Sequence, residues 1–333
     1  MHIPLWLILA LISPFANALV NVVDVYFAKG VYENEWDGAA ISCMFKIVAL
    51  PILLVWVTWQ GEFQLVLSQF SEIDKNLFEL AFIGGFFYSL SNYFYFRAVM
   101  SGKADVVFIE ALFNLTAVFV PVLAVLVLGK VLTVYQWIGV VLAFIGAFVL
   151  YVRGQDLSME KFIGKKTMSM ILASICLSIC IIIENKVYED APFIPIFCVF
   201  SCGCFTIGCS YVIVRKMKKM QSLTALCRRF FFIFIIMETL EFLGALSQEL
   251  ALSMTESYYV STIYCFQPVF VLVISGAMLV IFSTIALFPR KLWNLQAKLN
   301  GLVEEVHADQ VGRIWAKFFG ITAIIIAVMM VSF

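Results

Sequence analysis

The chain is a succession of apolar segments, each near the roughly 20 residues that a bilayer-spanning helix requires. About ten can be marked, at approximately 3–28, 38–59, 77–100, 104–129, 133–152, 164–186, 193–214, 229–254, 258–283 and 313–333. Nothing else in the sequence constrains the fold as strongly. The chain is 63% hydrophobic and only 13% charged over 333 residues, more apolar surface than a soluble core could hide. The expected class is therefore all-α and integral to a membrane, and no stretch fits a soluble domain. The formal net charge is zero, so no basic surface suggests nucleic acid.

Several features have bland readings. Most of the nine cysteines lie in apolar runs, where a free thiol acts as a small hydrophobe. The densest group is Cys198, Cys202, Cys204 and Cys209. It has no histidine nearby and fits no zinc spacing, so small residues packing against another helix are expected and no metal or cofactor is. "LWLILALISPFANA" imitates a signal-peptide core, but no Lys or Arg precedes it and apolar residues continue past the supposed cut. It reads as an uncleaved first helix. In the long connection 284–312, Leu292, Leu295, Leu299, Leu302 and Val306 recur at three- and four-residue steps after Pro289, with Arg290, Lys291 and Lys298 beside the stripe. This predicts an amphipathic helix on the membrane surface, either a connector or a docking site.

The two halves resemble each other. "DVVFIEALFNLTAVFV" (105–120) aligns without gaps on "ESYYVSTIYCFQPVFV" (256–271). Asp105 meets Glu256, and Val118-Phe119-Val120 meets Val269-Phe270-Val271. "LSN" (90–92) parallels "LSQ" (246–248), "KGVYE" (29–33) parallels "NKVYE" (185–189), and "QWIG" (136–139) parallels "KFFG" (317–320). The matches fall in the same order in both halves. This predicts two five-helix repeats, 1–153 and 154–333, the second carrying the amphipathic insertion 284–312. An odd number of spans per repeat inverts one against the other, an arrangement found in secondary transporters.

The segment "AVFVPVLAVLVLGKVLTVYQWIGVVLAFIGAFVLY" (117–151) resembles the fourth and fifth helices of an EamA repeat, in the drug/metabolite transporter superfamily. "ALSMTESYYVSTIYCFQPVFVLVIS" (251–275) resembles the corresponding stretch of the second repeat. Two positions depart from the pattern. Ala117 stands where the family usually has Pro, and Lys130 where it often has Glu. The resemblance implies ten transmembrane helices and transport. It leaves the cargo open among amino acids, nucleotide sugars, other metabolites and drugs.

Ionisable residues inside spans are costly and usually face a cavity or a partner. Asn17, Asn21 and Asp24 form one stripe on the first span, at i, i+4 and i+7. Following the chain across the membrane puts Asp24, Lys46, Arg97 and Glu110 toward one end, and Glu184 and Glu249 toward the other. These are candidate gates or structural ion pairs. Glu238 and Glu241 lie three residues apart on the eighth span, with Gln248 continuing the stripe. Carboxylates that close in low dielectric repel, so a proton or a cationic group is expected between them. Tyr88, Asn92, Asn114, Tyr264 and Gln267 add aromatic faces and amides, which suit cationic or zwitterionic solutes.

No phosphate loop, GxSxG elbow or metal-spaced histidine pair occurs, and the only histidines are His2 and His307. No enzyme is expected. The expected function is secondary transport of a small amino acid, amine or related zwitterion by alternating access, with protons as a candidate coupling ion. Alternatives of the same fold are a multidrug, toxic-cation or nucleotide-sugar transporter. The rival class is a non-transporting scaffold or receptor. The expected partners are a small solute and the bilayer, in a bacterial inner membrane. The excess of Lys and Arg in 153–166, 215–229 and 290–317 places both termini outside the cytoplasm, whereas the resemblance favours termini inside.

Overall fold

The computed structural model describes residues 4–30, 32–100, 112–151, 165–217, 228, 231–271, 273–274, 277 and 314–332. Glu110 and the segment 284–312 lie outside these residues. Every regular element described is helical. α1 runs Leu5–Gly30, α2 Glu35–Phe45, α3 Ala49–Gln60, α4 Phe63–Glu72, α5 Lys75–Met100 and α6 Thr116–Leu128. α7 follows at Val134–Tyr151, α8 at Lys165–Asp190, α9 at Phe193–Met217, α10 at Phe231–Leu252, α11 at Ser257–Tyr264 and α12 at Ile314–Ser332.

Length and composition make Glu35–Gln60, Thr167–Asp190, Phe193–Met217 and Phe231–Leu252 candidate membrane spans. Glu35–Gln60 contains α2 and α3, which a 3₁₀ turn at Lys46–Val48 joins. Asn34 starts this span by accepting the Trp36 amide on its side chain, 2.9 Å away, as an N-cap does. Gly61 ends it at φ 74°, a left-handed conformation that glycine adopts without strain. The next stretch, between the expected spans 38–59 and 77–100, holds α4. Its Val66 is buried while Gln64, Ser68 and Glu72 are exposed, so it is an amphipathic helix between two apolar ones.

The fourth and ninth expected spans are interrupted, and at corresponding places. Turn residues stand at 114–115 and again at 265–266. The Leu115 amide donates to Leu112 O, and those of Val118 and Phe119 donate to Leu115 O. At an offset of 151 residues, from Leu115 to Phe266, the same three bonds recur. Phe266 donates to Ile263, and Val269 and Phe270 donate to Phe266. Interrupted helices free carbonyls that need donors in a membrane. The Ser174 hydroxyl of α8 supplies one, 3.0 Å from Leu112 O.

Helices α1 and α10 pack together, as do α5 and α8, and α7 and α12. Helix α9 packs on α2 and α5. The α5–α9 contact is backbone on backbone. A Cβ at Gly85 would lie 2.5 Å from Phe200 O, and one at Gly203 would lie 2.5 Å from Phe82 O. Close approach through small residues is the usual device where solvent cannot drive helices together. Gly203→Val must push the helices apart, and the expected loss is about 1–3 kcal/mol, the scale of overpacking. Thermal unfolding in detergent would check this, and an unchanged midpoint would contradict the contact.

Candidate functional site

Four long helices from both halves of the chain surround one polar cavity. Helix α1 contributes Asn17, Asn21 and Asp24, the polar stripe of the first span. From α10 come Glu241, Ala245, Gln248 and Glu249, spaced to share one helical face. Helix α5 adds Tyr88, Ser91, Asn92 and Tyr95, and α8 adds Cys180 and Glu184. Ser42 of α2 and Tyr264 of α11 complete the polar wall, together with Phe113 and Gln267 beside the two interruptions.

One wall centres on Glu241. Its Oε1 accepts from the Tyr88 hydroxyl at 2.7 Å and from Ser42 at 2.9 Å. Asn92 in turn donates to Ser42 at 3.0 Å. Lys46 Nζ lies 3.3 Å from the same oxygen and 4.6 Å over the Tyr88 ring. Lys46 is only 5% exposed. An ammonium that deeply buried needs a counter-charge, and removing its partner is far more costly than the pair is stabilising. Along α10 alone Glu241 has no cation within reach; the tertiary fold brings one from the 3₁₀ turn after α2. Glu238 lies one turn away on α10 and is not among the lining residues.

A second wall holds Glu184 and Glu249, both buried. Glu249 accepts from the Tyr188 hydroxyl, and Glu184 faces the Cys180 thiol at 3.5 Å. Between the walls, Asn17 donates to Tyr264 and Ser13 donates to Gln248 at 3.2 Å. Four carboxylates thus line the cavity, those of Asp24, Glu184, Glu241 and Glu249, and no Lys or Arg is among its lining residues. Asn114 is buried at the first interruption without lining the cavity. Arg97 is exposed on the last turn of α5, away from it.

Ion clusters occupy both ends of the bundle. At one, Arg215 of α9 pairs with Asp37 of α2, and Glu33 lies 3.9 Å from the same guanidinium. Asp37 is fully buried. At the other, Lys130 contacts Glu189 at 2.7 Å and Glu256 at 2.9 Å. Their hydrogen bonds, Glu189's first, hold the Lys130 ammonium above the usual lysine range. The pairing is present at neutral pH, and on the basic side it is lost only as pH rises through that raised range. Each cluster joins one half of the chain to the other. Sequence reasoning missed Asp37 and Arg215, because a lone Asp near a helix start and the first residue of a basic loop both look solvated. Lys130 did carry a signal, as a base where an acid was expected, and its partners are two acids.

Residues 4–152 match the EamA-like transporter family. No curated protein matches the chain. Among solved structures 21 chains match. One, described only as "Crystal structure of protein", aligns with a TM-score of 0.54 at 11% identity, over 90% of this chain and 97% of its own. At that identity the likeness concerns the fold alone. Together with the apolar helices, the family match identifies an integral membrane protein.

Proposed function

Taking residues 4–152 as an EamA-like transporter domain, we propose that this chain is a secondary transporter moving a small amine-bearing metabolite by alternating access. The observation that carries the reading is the acidic, tyrosine-rich cavity between the halves, with an inter-half ion cluster at each end of the bundle. Carboxylates attract the ammonium of a solute, and tyrosine faces hold its body.

Two inverted repeats, 1–153 and 154–333, supply the mechanism. Support comes from the backbone bonds that recur at one offset. Further support comes from the packing: α1 on α10 mirrors α8 on α5, and α7 meets its counterpart α12. Similar halves in opposite orientations can exchange conformations, giving inward-open and outward-open states of similar energy. Interrupted helices at the midplane are a recurrent part of such sites. The carboxylates of the cavity are also the groups through which protons would couple.

The test is counterflow in proteoliposomes loaded with one solute class at a time. Exchange of an amine-bearing solute that Glu241→Gln abolishes in a folded, inserted protein is the expected result. A scaffold or receptor would exchange nothing and show no solute-dependent thermal stabilisation. Normal flux in the Glu238→Gln/Glu241→Gln double variant would make both residues structural.

The mouths offer a second check. Lys130→Glu places three acids together and opposes closure on that side. Turnover is expected to fall by about tenfold, the scale of 1–2 kcal/mol of lost closure. Adding Glu256→Lys restores an attractive set and should recover most of the flux. Equal loss in the single and double variants would remove Lys130 from gating.

A further inference from the structure

A second cavity shares no lining residue with the polar one. It is a groove on the outside of the bundle. Leu50, Leu53, Leu54 and Val57 of α3 form one wall, at i, i+3, i+4 and i+7. Phe63, Val66, Leu67 and Phe70 of α4 repeat that spacing and form another. Phe82 of α5 and the buried Val199 of α9 lie deeper, beside the close approach of those helices at Gly203. No lining residue is charged. Leu54, Phe63, Leu67 and Phe78 are exposed, so the groove opens sideways, toward hydrocarbon. One end of it meets charge. From Gly61 to Leu80 the acids are Glu62, Glu72, Asp74 and Glu79, against the single base Lys75. Lys75 pairs with Glu79 at 3.5 Å. Glu62, Glu72 and Asp74 are exposed around the two ends of α4. Among the described residues no Lys or Arg pairs with any of these three. The groove therefore has an apolar bed and an acidic rim.

We propose that this groove is a binding site for one phospholipid whose headgroup ends in a primary ammonium, as in phosphatidylethanolamine. An acyl chain lies in the apolar bed, and the headgroup reaches the carboxylates around α4. Bulk lipid tails are as apolar as the lining, so the tail fixes the position and the headgroup decides the identity. A primary ammonium has three donors for exposed carboxylates, and such charge-assisted bonds are the strong ones. Phosphatidylcholine brings the positive charge without an N–H to donate. Anionic phosphatidylglycerol is repelled by the same acids, the reverse of the basic pockets that hold anionic lipids. The lining comes from α3, α4 and α5 of the first half and from α9 of the second, so a lipid seated there touches both halves.

The experiment is native mass spectrometry of the full chain in detergent, titrated with phosphatidylethanolamine, phosphatidylcholine and phosphatidylglycerol of identical acyl chains. One phosphatidylethanolamine per chain is expected to be retained at a concentration about tenfold below the other two, the scale of one charged hydrogen bond. Glu62→Gln/Glu72→Gln/Asp74→Asn should abolish that preference and leave a weaker adduct with all three lipids. Leu54→Trp/Leu67→Trp fills the groove from its exposed side and should remove the adduct whatever the headgroup. If the tryptophan variant does not fold, the headgroup series in the unaltered protein and in the charge variant decides. Equal retention of the three lipids would mean bulk-like lipid only and overturn the assignment. So would an unchanged adduct in the folded tryptophan variant. A doubled mass without lipid would make the groove a contact between two copies of the chain and overturn it as well. None of these readouts involves flux, so the site stands or falls apart from the transporter reading.

Discussion

Asp37→Ala is expected to lower stability by about 3–5 kcal/mol, the cost of stranding a buried charge. Asp37 is completely buried and pairs with Arg215, which is only 3% exposed. The truncation takes the closest carboxylate from a guanidinium within a packed α2–α9 contact, while Glu33 stays 3.9 Å away. Solvent cannot reach in to replace the lost oxygens, and the Glu33 amide also loses its acceptor at 2.8 Å. Arg215→Met in the same background should recover most of the loss, because an apolar pair of similar volume has no charge to solvate. Thermal unfolding of both variants in detergent checks this. An Asp37→Ala protein as stable as the original would show that the pair is hydrated in solution.

The second large effect concerns Lys46 and Glu241. Lys46→Met is expected to stop transport, since among the described residues Glu241 is left in the cavity wall with the Tyr88 and Ser42 hydroxyls and no cation. Glu241→Gln should stop it as well, stranding the Lys46 ammonium, whose only charge partner within ion-pair distance among the described residues is Glu241. Each single change carries the penalty of an uncompensated buried charge, about 3–5 kcal/mol. The double variant Lys46→Met/Glu241→Gln separates structure from function. It removes both charges together, so stability should return. If Glu241 also meets cargo, counterflow stays absent in the refolded protein. Recovery of flux with recovery of stability would make the pair a lock between the α2–α3 turn and α10 and nothing more.

The sequence displays the individual polar residues but not their partnerships. The Asn17–Asn21–Asp24 stripe, Glu241 with Gln248, and Gln267 were all legible, because a polar side chain in an apolar helix has few inexpensive places to face. All of them line one cavity. Lys46 was legible as an intramembrane base, and Asp24 or Glu110 looked as close a partner as any. Its observed partner is 195 positions away in sequence, from Lys46 to Glu241. Asp37 and Arg215 were not legible, because both sit where a helix end would normally meet water.

Hydropathy alone determined that this chain is helical and integral to a membrane, since hydrocarbon leaves the backbone of a long apolar segment little choice but an α-helix. Periodicity along each helix determined which polar residues share a face, since 3.6 residues per turn is a local property. The tertiary structure decided which face meets which. It set Lys46 against Glu241, Arg215 against Asp37 and Lys130 between Glu189 and Glu256. Those choices depend on close helix packing, such as Gly85 against the α9 backbone, and on the summed cost of every alternative burial of charge. Neither quantity is a property of any one segment, so neither can be read along the chain.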